Sequence, residues 1–200
     1  LFAHLREALG ERVAEHRRAR GRTPEPAALS TPFERLSVTE AFARYAGIEG
    51  ADIGSLEGLQ TLSKRTGMRS RADETFEELF NRLFVHFVEP ALPVDRPVVL
   101  YDYPSGIPTL AAERDGTPWS ERWELYLGGV ETANCYTEER NPQRVRSFFA
   151  AERARKARSL VPHEVDGEYY RVFGENFPYC SGVAMGADRL LMVVLGEPSI

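Results

Sequence analysis

The residues with the clearest potential for chemistry are two glutamates on either side of a glycine pair, Gly128-Gly129. A Gly-Gly pair between two β-favouring stretches predicts a two-residue hairpin turn. In that hairpin Tyr126 faces Glu131, and Glu124 lies diagonal to Glu131 on the same face, about 7–8 Å away at Cα. Two converging carboxylates repel each other unless a cation or a donor lies between them. They are therefore either hard oxygen ligands suited to Mg²⁺ or two solvated glutamates on a polar sheet face.

A second constellation lies near the end of the chain, where a β-favouring stretch, residues 181–185, leads through Gly186 into an apolar helical run, residues 190–195. We expect Arg189 in the first helical turn, where free backbone N–H groups and the helix dipole favour anions. A guanidinium there can donate two parallel hydrogen bonds to a phosphate, and a glycine lets a flat ligand approach the backbone. The alternative is a buried strand–helix connection with a solvated arginine.

The sequence Gly-Val-Ala-Met-Gly-Ala-Asp-Arg-Leu at residues 182–190 resembles motif 3 of class II aminoacyl-tRNA synthetases, in the lysyl branch. The resemblance implies that Arg189 is the catalytic residue that holds the γ-phosphate of ATP. It also implies that Gly186, together with Leu125, forms a platform for the nucleotide. ATP is therefore the expected cofactor.

The hairpin carries the stronger resemblance, because residues 124–138, Glu-Leu-Tyr-Leu-Gly-Gly-Val-Glu-Thr-Ala-Asn-Cys-Tyr-Thr-Glu, are similar to the stretch that binds metal and lysine in this family. The resemblance implies that Glu124 and Glu131 hold Mg²⁺ with ATP. It further implies a substrate-binding set that shapes the lysine site: Glu131, Asn134, Tyr136, Glu138 and Ala184. An aromatic face with a carboxylate suits a lysine side chain on physical grounds as well.

Two positions depart from the usual family pattern in this stretch. Cys135 replaces a glycine and Tyr136 a phenylalanine, which can reshape the pocket. Ala184 stands where lysyl-tRNA synthetases usually have glycine, and a methyl group there narrows the wall beside the amino group. One steric intrusion of this kind can favour a β-amino acid over its α isomer, by roughly 1–3 kcal/mol.

Strand alternation conflicts with these implied roles. A regular strand places Asn134, Tyr136 and Glu138 on the face opposite Glu131. The roles require both sets beside one ligand. We therefore predict a β-bulge or twist around residues 132–133, which shifts the alternation by one residue.

The surrounding pattern predicts an α+β fold, with the antiparallel sheet and flanking helices of a class II synthetase catalytic domain. A capping box at Ser37 and Glu40 starts one helix, and residues 169–174 show no clear element. We expect residues 1–200 to form a single domain, the C-terminal portion of that catalytic core, because motifs 1 and 2 are not recognisable. The predicted elements are helices at residues 1–20, 38–45, 55–66, 72–88 and a basic amphipathic one at 143–159, and strands at 97–101, 122–126, 130–136 and 181–185.

Composition narrows the class of protein. The chain has 200 residues, 42% of them hydrophobic and 28% charged, with a net charge of −5. These values are typical of a globular domain and give no electrostatic footprint for nucleic acid. No stretch is long and apolar enough for a membrane span, and two cysteines without a metal or disulfide pattern favour a cytoplasmic location.

The resemblance leaves three functions open. The first, which the sequence Cys180-Ser-Gly-Val-Ala184 favours, is an ATP-dependent ligase that activates (R)-β-lysine and transfers it to a lysine of elongation factor P. The second is a catalytic fragment of a lysyl-tRNA synthetase, with tRNA as partner. The third is a non-catalytic, synthetase-derived binding module, which the missing motif 2 would favour. The family also implies a homodimer of the intact protein.

Overall fold

The computed structural model describes residues 2–26, 29, 32–50, 52–158, 160–161, 168, 172 and 177–198. Its helices and strands alternate unevenly along the chain, as expected for an α+β fold. In chain order they are α1 (Phe2–Ala19), β1 (Glu34–Ser37), α2 (Val38–Ala46), α3 (Leu56–Arg65), α4 (Phe76–Leu83), β2 (Val98–Pro104), β3 (Trp119–Leu127), β4 (Val130–Thr137), α5 (Pro142–Lys156), β5 (Ser181–Met185) and α6 (Ala187–Leu195).

The strands form one five-stranded sheet in the order β1-β2-β3-β4-β5. β1 pairs parallel to β2, and the other three pairs are antiparallel. The predicted antiparallel character is therefore confirmed, with one parallel strand added at an edge. The sequence analysis missed β1 because it has only four residues, with two charged ones among them, and so no alternating apolar pattern.

One face of the sheet, here called the front face, is covered by helices at its β1–β2 end. α2 packs on Val98, Leu100 and Tyr103 of β2, and α4 contributes to the same apolar cluster. Phenylalanine rings fill this layer, with centroid separations of 6.0 Å for Phe42–Phe80 and 5.8 Å for Phe80–Phe84. Aromatic side chains bury large apolar areas, so this layer supplies most of the core.

α4 does not end as a regular helix. A capping box, in which Thr75 and Glu78 exchange hydrogen bonds, starts it four residues later than predicted. It runs into a π-helical turn at Phe84–Val88 and then a short 3₁₀ turn at Glu89–Ala91. Such turns have no sequence signature of the kind that hydrophobic periodicity gives, so the prediction of one continuous helix to residue 88 was too simple.

The opposite, back face of the sheet is covered by α1 and α6. A second apolar cluster fills this layer, with Val13 of α1 and Val194 of α6 packed on Leu125, Leu127 and Ala133. α5 contributes little to either layer, since Val145 is its one buried residue among those described. The predicted amphipathic character of α5 is therefore wrong, although the helix itself is confirmed. Apart from residue 172, the stretch 169–174 lies outside the described residues.

Candidate active site

Two irregularities in the strands decide which side chains share the front face. In β4, Ala133 pairs with Leu125 but Glu131 pairs with Tyr126, so Thr132 is an extra residue. This is the bulge that the sequence predicted, and it is confirmed. Between β2 and β3 the register shifts as well: Tyr101 and Tyr103 are two positions apart, while their partners Trp123 and Ser120 are three apart, so the extra residue there belongs to β3. Each irregularity changes which side chains share a face.

The bulge in β4 brings the predicted substrate-binding residues together. Glu131 lies opposite Tyr126, and Asn134 lies opposite Glu124, so both project to the front face. Two residues further on, Tyr136 faces the same way. Across the next strand pair, Asn134 lies opposite Ala184 and Tyr136 opposite Gly182. The fold therefore places on one face side chains that regular alternation would divide between two.

Asp102 is the one described non-glycine residue with a positive φ, at 59°. Such a conformation costs energy and persists only where neighbours fix it. Here both carboxylate oxygens of Asp102 accept hydrogen bonds from Arg114. This conformation breaks the alternation of β2, so Tyr103 lies on the front face, where its hydroxyl reaches Glu124.

Glu124 is the centre of a buried polar network on this face. Its Oε2 accepts hydrogen bonds from the hydroxyls of Tyr103, at 2.5 Å, and Tyr126, at 2.8 Å. Its Oε1 accepts one from Arg122 at 2.5 Å and a longer one from Asn134 at 3.5 Å. A carboxylate offers about four lone-pair positions, so these four donors saturate it. The guanidinium of Arg122 also lies 4.9 Å from the ring centroid of Tyr103.

The two phenols in this network remain protonated donors over the whole physiological pH range. Burial raises the pKa of Tyr103, and the charge of Glu124 raises it further. The pKa of Tyr126 is raised by the same two causes in the same order. Both hydroxyls therefore donate to Glu124 and hold its carboxylate in one orientation.

Glu131 lies near Arg189, which comes from the first turn of α6. Arg189 Nη1 donates to the backbone oxygen of Glu131 at 2.8 Å and to its Oε2 at 3.3 Å. Burial raises the pKa of Glu131, the charge of Glu124 raises it further, and Arg189 opposes both effects. Glu131 Oε1 accepts no hydrogen bond from the described residues. This oxygen can therefore take a ligand without displacing a donor.

The junction between β5 and α6 places Arg189, as the sequence predicted, in the first turn of a helix. Gly186 caps that helix, and its N–H donates to the carbonyl of the bulge residue Thr132 at 2.9 Å. A Cβ on Gly186 would meet only side-chain carbons of Arg189, at 3.4 Å or more. The fold itself therefore tolerates alanine at position 186.

Glu138 and Asn134 lie at the β4–β5 side of this face. A Cβ on Gly182 would lie 3.1 Å from Glu138 Oε1, so the missing side chain at position 182 leaves room for that carboxylate. Burial raises the pKa of Glu138. The Oδ1 atom of Asn134 is buried and has no hydrogen-bond partner among the described residues. An unpaired buried acceptor of this kind is costly unless a ligand or water donates to it.

Leu125 is the predicted site residue that the fold does not bring to the front face. It projects to the back face, where it is 5% exposed and packs in the apolar cluster with Val13 and Val194. Its side chain therefore cannot lie against a nucleotide bound on the front face. Strand alternation relative to Glu124 was the signal that could have shown this.

The acidic residues fit a magnesium ion only in part. Among the residues that the structure describes, no group of three or more His, Cys, Asp or Glu side chains is arranged to hold a metal. Glu131 has a free oxygen, but Glu124 would have to exchange a donor for the ion, and the 3.5 Å bond from Asn134 is the weakest of its four. Oxygen ligands of this kind still suit Mg²⁺, which commonly binds one or two carboxylates together with phosphate.

Sequence reasoning missed three residues of this site, Arg122, Tyr103 and Tyr126. Arg122 could have been found, since in β3 it shares a face with Glu124 at a spacing of two. The role of Tyr103 depends on the left-handed conformation of Asp102, which no local sequence pattern indicated. In the described part of the chain, none of the helices combines the length and the apolar character needed to cross a membrane.

Comparison with known proteins finds similar sequences among amino-acid ligases. The family model for class II tRNA synthetases (D, K and N) matches residues 2–200. An elongation factor P–(R)-β-lysine ligase homologue of Aquifex aeolicus is 37% identical over 168 residues, 84% of this chain and 54% of that protein. The elongation factor P–(R)-β-lysine ligase of Proteus mirabilis is 34% identical, over 84% of this chain and 52% of that protein.

A lysine–tRNA ligase is similar to this chain over a longer stretch. The enzyme of Chromohalobacter salexigens is 30% identical over 197 residues, which is 97% of this chain but 38% of that protein. The chain thus spans about half the length of the curated elongation factor P ligases it matches, and less of the tRNA ligase.

Proposed function

This chain belongs to the class II tRNA synthetases of the D, K and N group, and on that premise we propose that the full-length protein activates a lysine-type amino acid with ATP. The substrate carboxylate attacks the α-phosphate of ATP, which gives an acyl-adenylate and pyrophosphate. The acyl group then passes to an acceptor, and the adenylate leaves as AMP. The observation that carries the proposal is the bulge at Thr132, because it gathers Glu124, Glu131 and Asn134 on one face beside Arg189.

On the nucleotide side, Arg189 binds the pyrophosphate end of ATP, and Gly186 leaves space for the base. Glu131 and Glu124 would hold Mg²⁺, which supplies neutralisation of phosphate charge when bound. Arg189 now donates to Glu131, so an anion has to compete with that carboxylate for the guanidinium. A metal on Glu131 and a phosphate on Arg189 satisfy both groups at once.

On the amino-acid side, Asn134, Tyr136 and Glu138 form the lysine pocket. The unpaired Oδ1 of Asn134 can accept from the amino group of the substrate. Glu138 can pair with the terminal ammonium, and the ring of Tyr136 can lie along the aliphatic stem. Burial already raises the pKa of Glu138, so a cation that restores its ionised form is bound favourably.

This arrangement acts by positioning and charge neutralisation. None of the residues assigned here has to take a proton from the attacking carboxylate, since a carboxylate is already a nucleophile. Holding the two reactants in line and stabilising the charge that develops on phosphate account for the chemistry.

For the acceptor we favour a lysine of elongation factor P, with (R)-β-lysine as the activated amino acid. The named elongation factor P ligases match this chain at 34–37% identity. Ala184 lies opposite Asn134 in the β4–β5 pair, so its methyl group adjoins the residue proposed to receive the amino group. The match to a lysine–tRNA ligase over 97% of this chain keeps α-lysine and tRNA as the second candidate. A homodimer of the intact protein stays a prediction.

The test is ATP–pyrophosphate exchange by the full-length protein, with (R)-β-lysine and α-lysine compared side by side. We expect stronger exchange with the β isomer and a loss of roughly 100- to 1,000-fold in Arg189→Ala. The control is Arg146→Ala, which removes an exposed arginine of α5. A preference for α-lysine, together with charging of tRNA, would select the second candidate. No exchange and no ATP binding by the wild type would refute the proposal and leave a binding module.

A further inference from the structure

A buried arginine lies at the end of α6 farthest from the proposed phosphate site. Arg17, near the end of α1, is 8% exposed. Its guanidinium donates to the backbone oxygens of Val194 at 3.1 Å and Val193 at 3.4 Å, and Nε donates to Thr23 O at 2.7 Å. The first two carbonyls belong to the last turn of α6, so Arg17 caps the C-terminal end of that helix.

Arg17 pairs with no carboxylate in the part of the chain that the structure describes. Burial lowers its pKa, and the charge of Arg22 lowers it further. The free carbonyls at the end of α6 and the negative end of its dipole stabilise this charge. The neighbouring basic residues behave differently: Arg20 and His16 both contact Glu197. The helix end is therefore held by a buried cation that makes directed bonds to the backbone.

The chain after α6 is fitted closely around this guanidinium. Gly196 ends the helix in the left-handed conformation, with φ at 75°, and its N–H donates to Met192 O. A Cβ on Gly196 would lie 2.8 Å from Arg17 Nη1. A glycine is therefore needed at this position both for its backbone conformation and for the space that Arg17 occupies.

α6 has directed contacts at its two ends and apolar contacts between them. At the N-terminal end, Gly186 N–H donates to Thr132 O and Arg189 donates to Glu131. Along its length, Leu190, Val193 and Val194 pack on the back face of the sheet. Apolar packing is non-directional, so hydrogen bonds at the ends fix where the helix lies along its axis. Arg189 and Val194 are about 7.5 Å apart along that axis, within one short rigid helix.

We propose that Arg17 is a positioning residue for phosphate binding, which acts through α6 on Arg189. The proposal rests on the function proposed above for Arg189. Loss of the Arg17 cap lets α6 shift along its axis, and Arg189 shifts with it relative to Glu131 and the bulge. The hydrogen bonds described for Arg17 go to Thr23, Val193 and Val194, whereas the lysine pocket lies on β4 and β5, so we expect the pocket to keep its affinity.

The experiment measures the dissociation constants of Mg·ATP and of lysine for the full-length protein by calorimetry. We expect Arg17→Ala to weaken ATP binding roughly tenfold with lysine binding unchanged, because small misplacements of a binding group are costly. Arg17→Lys keeps a cationic donor at the helix end and is expected to recover most of the loss. Arg18→Ala is the control, since Arg18 is exposed and its one ion pair with the described residues is a 3.7 Å contact to Glu11.

A double-mutant cycle with Arg189→Ala separates this role from a general loss of stability. If Arg17 acts through Arg189, then Arg17→Ala causes no further loss of ATP affinity in the Arg189→Ala background. Equal losses of ATP and lysine affinity, or an ATP loss that persists in that background, would overturn the inference. If Arg17→Ala fails to fold, the same cycle is measured with Arg17→Lys, which should weaken ATP binding about threefold.

The cycle also distinguishes failure of this inference from failure of the proposed function. If Arg189→Ala leaves ATP affinity unchanged, the phosphate-binding role itself is wrong. If Arg189→Ala weakens ATP binding and neither substitution at Arg17 does, only the positioning role is wrong.

Discussion

The two ends of the front face differ sharply although they belong to one sheet. At the β1–β2 end, the covered half lies beneath α2 and α4, and phenylalanine rings exclude water from it. At the β4–β5 end, the open half carries Glu131, Asn134 and Glu138 with partial exposure. Glu124 lies at the boundary together with Tyr103 and Tyr126. The ring centroid of each tyrosine is 6.4 Å from that of Phe84.

The covered half stabilises the fold, whereas the open half can bind a ligand. Side chains in the covered half satisfy one another, so changing them alters stability. In the open half, Asn134 Oδ1 is unpaired and burial raises the pKa of Glu131 and Glu138, so these groups gain from a partner that the described residues do not provide. The boundary network belongs to both, because its phenols are anchored in the core and donate to a site carboxylate.

The largest effect is expected in the covered half. Phe80 is 1% exposed and stacks between Phe76 and Phe84. Phe80→Ala should lower the free energy of unfolding by about 4 kcal/mol, because it removes buried area and leaves a cavity. Chemical denaturation measures this, with Phe148→Ala on the largely exposed α5 as the control, at about 1 kcal/mol or less. Similar losses in the two variants would show that the halves do not differ as described.

An intermediate effect is expected at the boundary. Tyr126→Phe removes one of the four donors to the buried Glu124 and should cost about 2 kcal/mol, since hydrogen bonds to charged groups are strong. It should also weaken the binding of Mg·ATP, since the carboxylate loses a contact that orients it. Denaturation and calorimetry test both effects. Tyr101→Phe is the matched control, because Tyr101 projects to the back face, beneath Arg35. A change in stability with no change in ligand binding would place the network wholly in the core.

In the open half we expect the smallest effect on stability, and here the substitution should stabilise the fold. The pKa of Glu131 is raised in the fold, so its ionised form is penalised and the protein loses stability as pH rises past that pKa. Glu131→Gln should therefore raise the melting temperature slightly, by about 1–2 °C at pH 7.5, while abolishing pyrophosphate exchange. Below about pH 4 both side chains are neutral and the difference should vanish.

Thermal unfolding across this pH range is the measurement for Glu131→Gln. The charged groups near Glu131 are Glu124, Arg189 and Arg122, and the phenol of Tyr126 lies opposite it. Glu113→Gln is the control, because Glu113 is an exposed glutamate paired with Arg144 at 3.2 Å. A lower melting temperature for Glu131→Gln at pH 7.5 would mean that the pair with Arg189 stabilises the fold more than burial of Glu131 destabilises it.

Much of the open half could be predicted from local sequence. The Gly128-Gly129 turn fixes the register of β3 and β4, and strand alternation then requires an irregularity near Thr132 if the site residues are to meet. The strand–glycine–helix pattern placed Arg189 in a first helical turn. These inferences succeeded because hairpins and helix starts depend on residues close together in the chain.

The boundary network could not be predicted in the same way. Tyr103 reaches Glu124 across 21 positions in the chain, and only because Asp102 adopts a positive φ fixed by Arg114. Arg17 was similar: no local pattern distinguishes it from the neighbouring arginines of α1, yet it is buried against a helix 177 positions away. Non-local contacts of this kind leave no periodic pattern in the sequence.

The extra residue at Thr132 also has a consequence for how this family changes over time. Glu131 and Asn134 share a face only because an odd number of positions, three, separates them in a strand. Substitution at Thr132 keeps that spacing, whereas deletion of any one residue between them moves Asn134, Tyr136 and Glu138 to the opposite side together. A later point substitution cannot return these three side chains to the front face. Selection on this stretch therefore acts on its length before it acts on the identity of the residue inserted there.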